Sequence, residues 1–588
     1  MTLCANAAQA IRFHTDAPGF VSLNIYRADG TVIRQLLGGA PFAAGDHTAA
    51  WDGLAGRKAA RPGLYSWRAV FREALVLKLR GWIGDFDGDG APPSAVSADG
   101  SQVYLGWSGA SGEADAIVAC DPAGTVRWTH HRGPLSGCRG LSVDGGKVFV
   151  LGGQGPDAVG RAIYRLSAAT GAVVPWPDGR IDLPIESLWP AKGNYKPDRA
   201  EYLAVKNGRI YLSFNTGQFI AVLDAKTGAY LQTIVGGSPG PIDSVATKSD
   251  TPANPDSLVD ADFVVTSLNG ASIGKLLLAH DPIWVLASEL TQLDYGQSIS
   301  ALTIIGDGAK HHMHDIFVGL GGPWNQVQGR SALDTDTVSY VAGTAGGRFP
   351  HGIWQPDRLG DIRAITLDGT GQLWVAEGDT SPGRISVWTT DTSHGRLTRE
   401  WFSPPDPGSP VAVDPLDSRI IFAGGCEWRI DPATGRAAPL DVVSLEPLRA
   451  ARFVVEKDNR LLLVLTPVVG PVFVLERVAD GDYRPRPGPG PGVKPGIRIF
   501  SAPPAGWRLT TADGFDLGAI LDPTIGGSRG ASRPTLTETA DGEAFITVSG
   551  ARIWDFQLSG LETVRPLASG TISLPSTQHP PASARSPH

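Results

Sequence analysis

The sharpest chemical motif in the chain is Asp85-Phe86-Asp87-Gly88-Asp89-Gly90. Carboxylates at alternate positions, closed by glycine, let a short loop turn Asp85, Asp87 and Asp89 onto one hard cation such as Ca2+. An EF-hand loop would carry a glutamate at its twelfth position, where Val96 stands, so no helix-flanked EF-hand is expected. A structural calcium loop and a solvated linker turn remain as readings. The run His311-His312-Met313-His314-Asp315 holds three of the chain's 12 histidines. On a strand His312 and His314 share one face, where two imidazoles can bind a transition metal or act as acid and base. An exposed turn after Gly306-Asp307-Gly308 explains the same residues. Trp324 and Asn325 suit a sugar-stacking ring with a polar anchor, or plain core filling. Glu377 and Asp379 follow the apolar run Leu373–Ala376. Facing a central funnel, one carboxyl of such a pair can be kept protonated; a turn before Ser381-Pro382-Gly383 is the competing account.

The elements that must position these residues are repeats. One phrase recurs: a strand, a small polar residue, then Thr-Gly or Ala-Gly, then another strand. It stands at Ala119–Gly124, Leu166–Gly171, Leu223–Gly228 and Ile430–Gly435. The aspartate caps the turn and the glycine supplies a left-handed position, as a hairpin between two outer strands requires. Upstream lie hairpins with DG, GG or NG turns, at Val96–Leu105, Leu141–Leu151, Leu203–Ser213 and Ile365–Ala376. Equivalent turns recur at intervals of about 40–57 residues, which fits four-stranded propeller blades. Blades are expected to begin near residues 92, 138, 200, 257, 300, 361, 410 and 451, with 533–567 supplying closing strands. The expectation is an all-β chain ending in a seven- or eight-bladed β-propeller over 92–570.

Ahead of the repeats, residues 11–75 are rich in strand patterns: Val21–Tyr26 alternates, and Gly30, Trp51-Asp52-Gly53 and Pro62-Gly63 mark turns. Residues 76–91 read as an acidic linker, 480–496 as a Pro/Gly-rich loop and 571–588 as a disordered tail. The segment 1–10 ends in small residues but lacks a charged start and a full apolar stretch. A truncated export signal and a plain N-terminus both fit it.

Composition narrows the classes. The chain has 588 residues, 16 Trp, 74 Gly, 46 Pro and a net charge of −8. That suits many short strands, and without a basic footprint nucleic acid is not an expected partner. No apolar stretch reaches the roughly 18 residues of a membrane span. The four cysteines form no CxxC pair, and Cys120 with Cys138 are either a disulfide or two buried thiols.

Residues 11–75 resemble the Ig-like domain of the flagellar hook-cap type, through the IYxxxG hairpin, the WDG turn and the PGxY turn. The D-x-x-T-G units resemble pyrroloquinoline-quinone-type propeller repeats, and Ile365–Trp388 resembles an NHL-type repeat. Together they are similar to exported bacterial proteins that combine the two, which implies a secreted or periplasmic setting and no particular catalytic motif. No GxSxG elbow, Walker loop or helix-opening GxGxxG is present. The leading expectation is a propeller recognising a glycan or protein partner, positioned by the Ig-like domain. The alternatives are a carbohydrate-active lyase or hydrolase, or a metal-assisted lactonase-like enzyme, with the site in the funnel.

Overall fold

The computed structural model describes the chain apart from residues 1–7, 57, 87–90, 109–114, 132–134, 136, 154–159, 189–198, 207, 215–218, 236–241, 246–262, 269–271, 281–282, 293–297, 305–315, 322–323, 331–336, 349–350, 379–381, 407, 445–446, 457–459, 481, 487–496, 502–506, 512, 522–533, 540, 550–551 and 575–588. Among the described residues the regular structure is strand, with brief 3-10 turns.

Near the N-terminus, a two-stranded sheet (Gln9–Thr15 with Gly45–Trp51) packs on a four-stranded one. The second runs in the order Val32–Phe42, Gly19–Tyr26, Gly63–Arg72, Arg565–Leu574. Alternate residues of both sheets, Ile11, Phe13, Val21, Leu23, Trp51 and Phe71, fill the core between them. The turn reading holds locally: the Asp29 carboxylate accepts the Thr31 N–H at 2.9 Å, and that of Asp52 accepts the Leu54 N–H at 3.0 Å.

The remaining strands form a β-propeller. Six four-stranded antiparallel sheets begin with the strands Pro93–Asp99, Cys138–Asp144, Tyr202–Lys206, Ile242–Val245, Ser298–Ile304 and Ile362–Leu367. These first strands touch in sequence order, and Ile362–Leu367 returns to Pro93–Asp99, so the cycle is closed. Four further sheets follow, with first strands Val411–Val413, Leu448–Val455, Ile497–Ser501 and Thr535–Glu538. Within this group Thr535–Glu538 lies against both Ile497–Ser501 and Val411–Val413, and Val411–Val413 lies against Leu448–Val455. A single run of seven or eight blades is the expectation; among the described residues the adjacency sorts the sheets into a group of six and a group of four.

The recurrent turns sit where expected, between third and fourth strands, and their glycines are left-handed: Gly124, Gly171, Gly228 and Gly435 have φ of 88°, 70°, 74° and 72°. Each glycine also receives a tryptophan ring from the neighbouring sheet. Trp401 covers Gly124, Trp128 covers Gly171, Trp176 covers Gly228 and Trp82 covers Gly435. A side chain on any of these glycines would occupy the space of the ring. The Trp128 indole N–H then reaches the Ala168 carbonyl at 2.8 Å, which fixes its angle.

The two ends of the chain exchange strands. Val76–Ile83, expected in an acidic linker, pairs with Ile553–Ser559 and completes the last sheet. Arg565–Leu574, placed by sequence in the propeller and the start of the tail, instead pairs with Gly63–Arg72. A local reading assigns each segment to its sequence neighbours, whereas the unpaired edge it satisfies lies hundreds of residues away. Side-chain bonds add to this junction: Arg72 Nε donates to the Leu517 carbonyl at 2.8 Å and Asn24 Nδ2 to the Gly514 carbonyl at 2.8 Å.

The ring-on-glycine contact yields a controlled test. In Gly228→Ala the new methyl would meet Leu183 Cδ2 at 2.8 Å and the Trp176 ring at 3.1 Å, with φ at +74°. Gly208 has nearly the same φ, +73°, and nothing within 4 Å. Both alanines should pay the left-handed cost of roughly 1–2 kcal/mol. Gly228→Ala should lose a further ~1–3 kcal/mol to overpacking, read as a lower urea midpoint than that of Gly208→Ala.

Candidate functional site

Among the described residues, five first strands of the six-sheet cycle, those beginning at Pro93, Cys138, Tyr202, Ser298 and Ile362, line an axial cavity of about 600 Å3. All run in one direction, so residues 94, 139, 202, 300 and 363 stand at one end and Asp368 and Gly369 near the other. Each inner strand pairs on one edge only, which leaves backbone groups towards the axis. Serines satisfy some of them and knit neighbouring blades together. The Ser142 hydroxyl accepts the Val205 N–H at 2.8 Å, and Ser94 Oγ donates to the Cys138 carbonyl at 2.5 Å. Small and hydroxylated residues, among them Ser97, Ala98, Ser300, Thr303 and Thr366, complete a polar lining.

At the 94–363 end the cavity opens into a mouth of about 310 Å3. Arg139, Arg199 and Arg363 line it with Glu201, Asp361, Tyr202 and Ser300. Glu201 is ion-paired with Arg139 and lies 3.8 Å from Arg199 Nε, while Arg363 Nη2 lies 2.6 Å from Asp361. Burial, aided by repulsion from Arg199 and Arg363, pushes the Arg139 guanidinium down to about 10. Burial raises the Tyr202 phenol above its ordinary value against the pull of Arg139 and Arg363. Sequence reasoning named none of these residues. Their signal was a single polar or basic residue at the start of each predicted inner strand, with no motif around it.

The residues singled out from sequence do not gather here. His312, His314 and Asp379 lie outside the described residues, as do Asp87 and Asp89. Trp324 and Asn325 form a turn between strands Ile316–Gly321 and Gln326–Arg330, and Asn325 is left-handed with φ 41°. The turn supports the next loop, because the Trp324 carbonyl accepts the Gly346 N–H at 3.2 Å and Asn325 lies against Gly347.

Glu377 requires a correction. It is fully buried at the end of its strand, with Arg384 Nε at 2.7 Å and Arg348 in contact. The Gly360 N–H at 2.6 Å and the Ser386 hydroxyl at 3.0 Å bond the same carboxylate. Burial alone would raise its pKa, but the two guanidiniums win and hold it below the usual carboxylate range. It is a charged anchor, which is neither the protonated acid of the funnel reading nor a turn residue. For the same reason it does not fit as a metal ligand of a lactonase-like centre.

Asp85 also departs from expectation. Arg436 Nε lies 2.7 Å from one of its oxygens and Arg436 Nη2 2.8 Å from the other, and the Phe402 N–H adds a bond at 2.8 Å. A carboxylate gripped by a guanidinium ties the two sheet groups together and does not fit a divalent cation. Among the described residues no group of three or more His, Cys, Asp or Glu is placed to hold a metal. Cys120 and Cys138 are free buried thiols, so of the two cysteine readings the second is observed.

A second buried acidic group lies in the four-sheet part. Glu427 and Asp441 are directly opposite on paired strands, and both are buried. Tyr483 donates to Glu427, and Arg477 Nη1 reaches Asp414 at 2.5 Å. One guanidinium cannot neutralise three carboxylates, and burial with mutual repulsion pushes Asp441 up to about 8.

No protein-family model matches the chain, and no curated protein does. Solved structures that are similar include the computationally designed Ika8 protein, 14% identical over 67% of this chain and 99% of that one, with a TM-score of 0.29. BamB from Moraxella catarrhalis is 10% identical, over 83% and 97% of the two chains, with a TM-score of 0.26. The Dos1 propeller is 11% identical, over 82% and 95%, with a TM-score of 0.29. Likeness at this level carries no argument; the strand order described above defines the β-propeller.

Glu377 and Asp441 should titrate stability in opposite directions. The depressed Glu377 contributes stability above the unfolded carboxylate pKa of about 4 that is lost on acidification. Glu377→Gln should therefore cost roughly 3–5 kcal/mol at neutral pH, by stranding buried guanidinium charge, and the deficit should shrink in acid. The raised Asp441 stabilises most below about pH 4, and its contribution drains away as pH climbs towards 8. Asp441→Asn should melt progressively higher relative to the parent between pH 5 and pH 8, followed by thermal denaturation; a constant difference would refute the buried-proton account.

Proposed function

We propose that this protein is an exported ligand-recognising propeller that binds a glycan in the axial cavity of its six-sheet ring. The observation that carries the reading is the polar axial cavity of about 600 Å3, lined by hydroxyls and by backbone groups of inner strand edges. Pockets of roughly 300–1,000 Å3 suit small and oligomeric ligands, and saccharide hydroxyls match such a lining better than an apolar side chain would. A protein partner is the competing occupant. An extended peptide is more often bound along an exposed sheet edge or in an open groove than inside an axial cavity.

Six blades form this ring and four sheets a second group, joined through Asp85, which pairs with Arg436 of the second group and accepts the Phe402 N–H of the ring. The N-terminal sandwich is an Ig-like domain of the hook-cap type. Its role is positioning, and the support is its rigid seat: Arg72, Asn24 and the shared strand Arg565–Leu574 hold it to the propeller. Binding without turnover is favoured because Glu377, the described carboxylate of the candidate acid pair, is locked in its ion pairs.

The test is a glycan panel incubated with the full chain, read by binding and by mass spectrometry of products. Binding without new products is expected, and it should disappear in Ser97→Trp, whose ring would fill the cavity while the melting temperature stays unchanged. Release of a cleaved or unsaturated saccharide would replace this reading with a carbohydrate-active enzyme.

A further inference from the structure

We infer that the mouth of the axial cavity is a carboxylate-binding site, which makes the ligand an acidic, uronate-bearing glycan. This rests on the reading of the cavity as a glycan site. Three sequence-distant elements converge to build it: Arg139 at the start of one inner strand, Arg363 at the start of another, and Arg199 just before a third. The shared level is imposed by the ring, because every inner strand enters from the same end.

Charge is unevenly shared at the mouth. Among the described lining residues Arg139 and Arg199 divide a single carboxylate, Glu201, while Arg363 is paired with Asp361. Glu201 serves both Arg139 and Arg199, at the edge of useful range for the second at 3.8 Å. Placing like charges this close, partly out of water, is costly unless an anion completes the set. The lowered Arg139 reflects burial first, with repulsion from Arg199 and Arg363 adding to it.

The chemistry of the donors selects the ligand. Guanidinium is planar and weakly hydrated, and it presents paired N–H groups that match a carboxylate. A neutral sugar would gain nothing from them and would have to desolvate them. Tyr202 and Ser300 line the same mouth and offer hydroxyls and one aromatic face to the ring that bears the acid. The polar cavity beneath then has room for the adjoining units.

The experiment uses the full chain and calorimetric titration. The probes are trisaccharides of galacturonate, mannuronate or glucuronate, the same sugars with their carboxylates reduced to alcohols, and a hexaglutamate peptide. At least one uronate should bind, its reduced form roughly tenfold or more weaker, with affinity falling as salt rises. Arg363→Gln, on a side chain 43% exposed and ion-paired with Asp361, should weaken uronate binding by a similar factor at an unchanged melting temperature. Arg139→Gln provides the second variant. Equal binding of reduced and acidic sugars, indifferent to both variants, would overturn the carboxylate site and leave the glycan reading intact. If no saccharide binds, that reading falls and the inference with it. Hexaglutamate binding that depends on Arg363 while no sugar binds would move the site to an acidic protein partner, and also overturns the inference.

Discussion

The packing of an indole on a turn glycine is the contact on which the architecture depends. A four-stranded blade is apolar on both faces and cannot stand alone in water. Its neighbour must come close, and the left-handed glycine of each D-x-x-T-G turn is the place where it does. Only hydrogen at that position leaves room for Trp128 on Gly171 or Trp401 on Gly124. A tryptophan buries on the order of 200 Å2, worth roughly 5 kcal/mol at the usual area coefficient before entropy is charged against it. Trp401 joins the last sheet of the ring to the first, so the contact also closes the circle. Trp82 uses the same geometry on Gly435 in the second group, although it comes from a strand near the N-terminus.

A fixed outer contact sets the inner geometry. Antiparallel pairing transmits the position of each turn through the sheet to its first strand, so the inner strands begin level with one another. Ser142 and Ser94 then bridge adjacent inner strands. On such a scaffold a site needs no local motif, because one residue from each of several blades suffices. The Glu377 network works in the space between groups. Arg384 donates to the Pro356 and Arg358 carbonyls at 2.8 Å each, and Arg348 lies 4.7 Å from the Trp354 ring. Two residues before Trp354, Gly352–Ile353 begins to pair with Ala437–Val442 of the second group. The buried charge therefore fastens a connecting segment to both sheet systems.

This division explains what was readable from sequence. The glycine turns, the hairpins and most inner-strand starts were legible, since each is dictated by residues a few positions apart: Cys138, Tyr202 and Ile362 begin strands within about two residues of expectation. Ring membership was not, because nothing in a strand's own alternation says which distant edge it meets. Val76–Ile83 and Arg565–Leu574 show this most plainly. The site was least legible. Asp85 and Glu377 were conspicuous as carboxylates in motifs, yet Arg436, Arg348 and Arg384, which decide their chemistry, stand apart from them in sequence or in other elements. Arg139, Arg199 and Arg363 were inconspicuous for the converse reason: each is alone until the ring assembles them.

A chain of net charge −8 with a cationic mouth presents no contradiction. At physiological salt, charges more than about 8 Å away through solvent are largely screened. An anion at the mouth therefore feels Arg139, Arg199 and Arg363 far more than the scattered surface carboxylates. Net charge governs solubility and the approach of partners, while the local set governs what stays. In this molecule buried carboxylates such as Glu377 are matched by guanidiniums where sheets must be joined. At the mouth Arg139 and Arg199 instead share one carboxylate, Glu201, so guanidinium N–H groups there can turn to a ligand rather than to the fold.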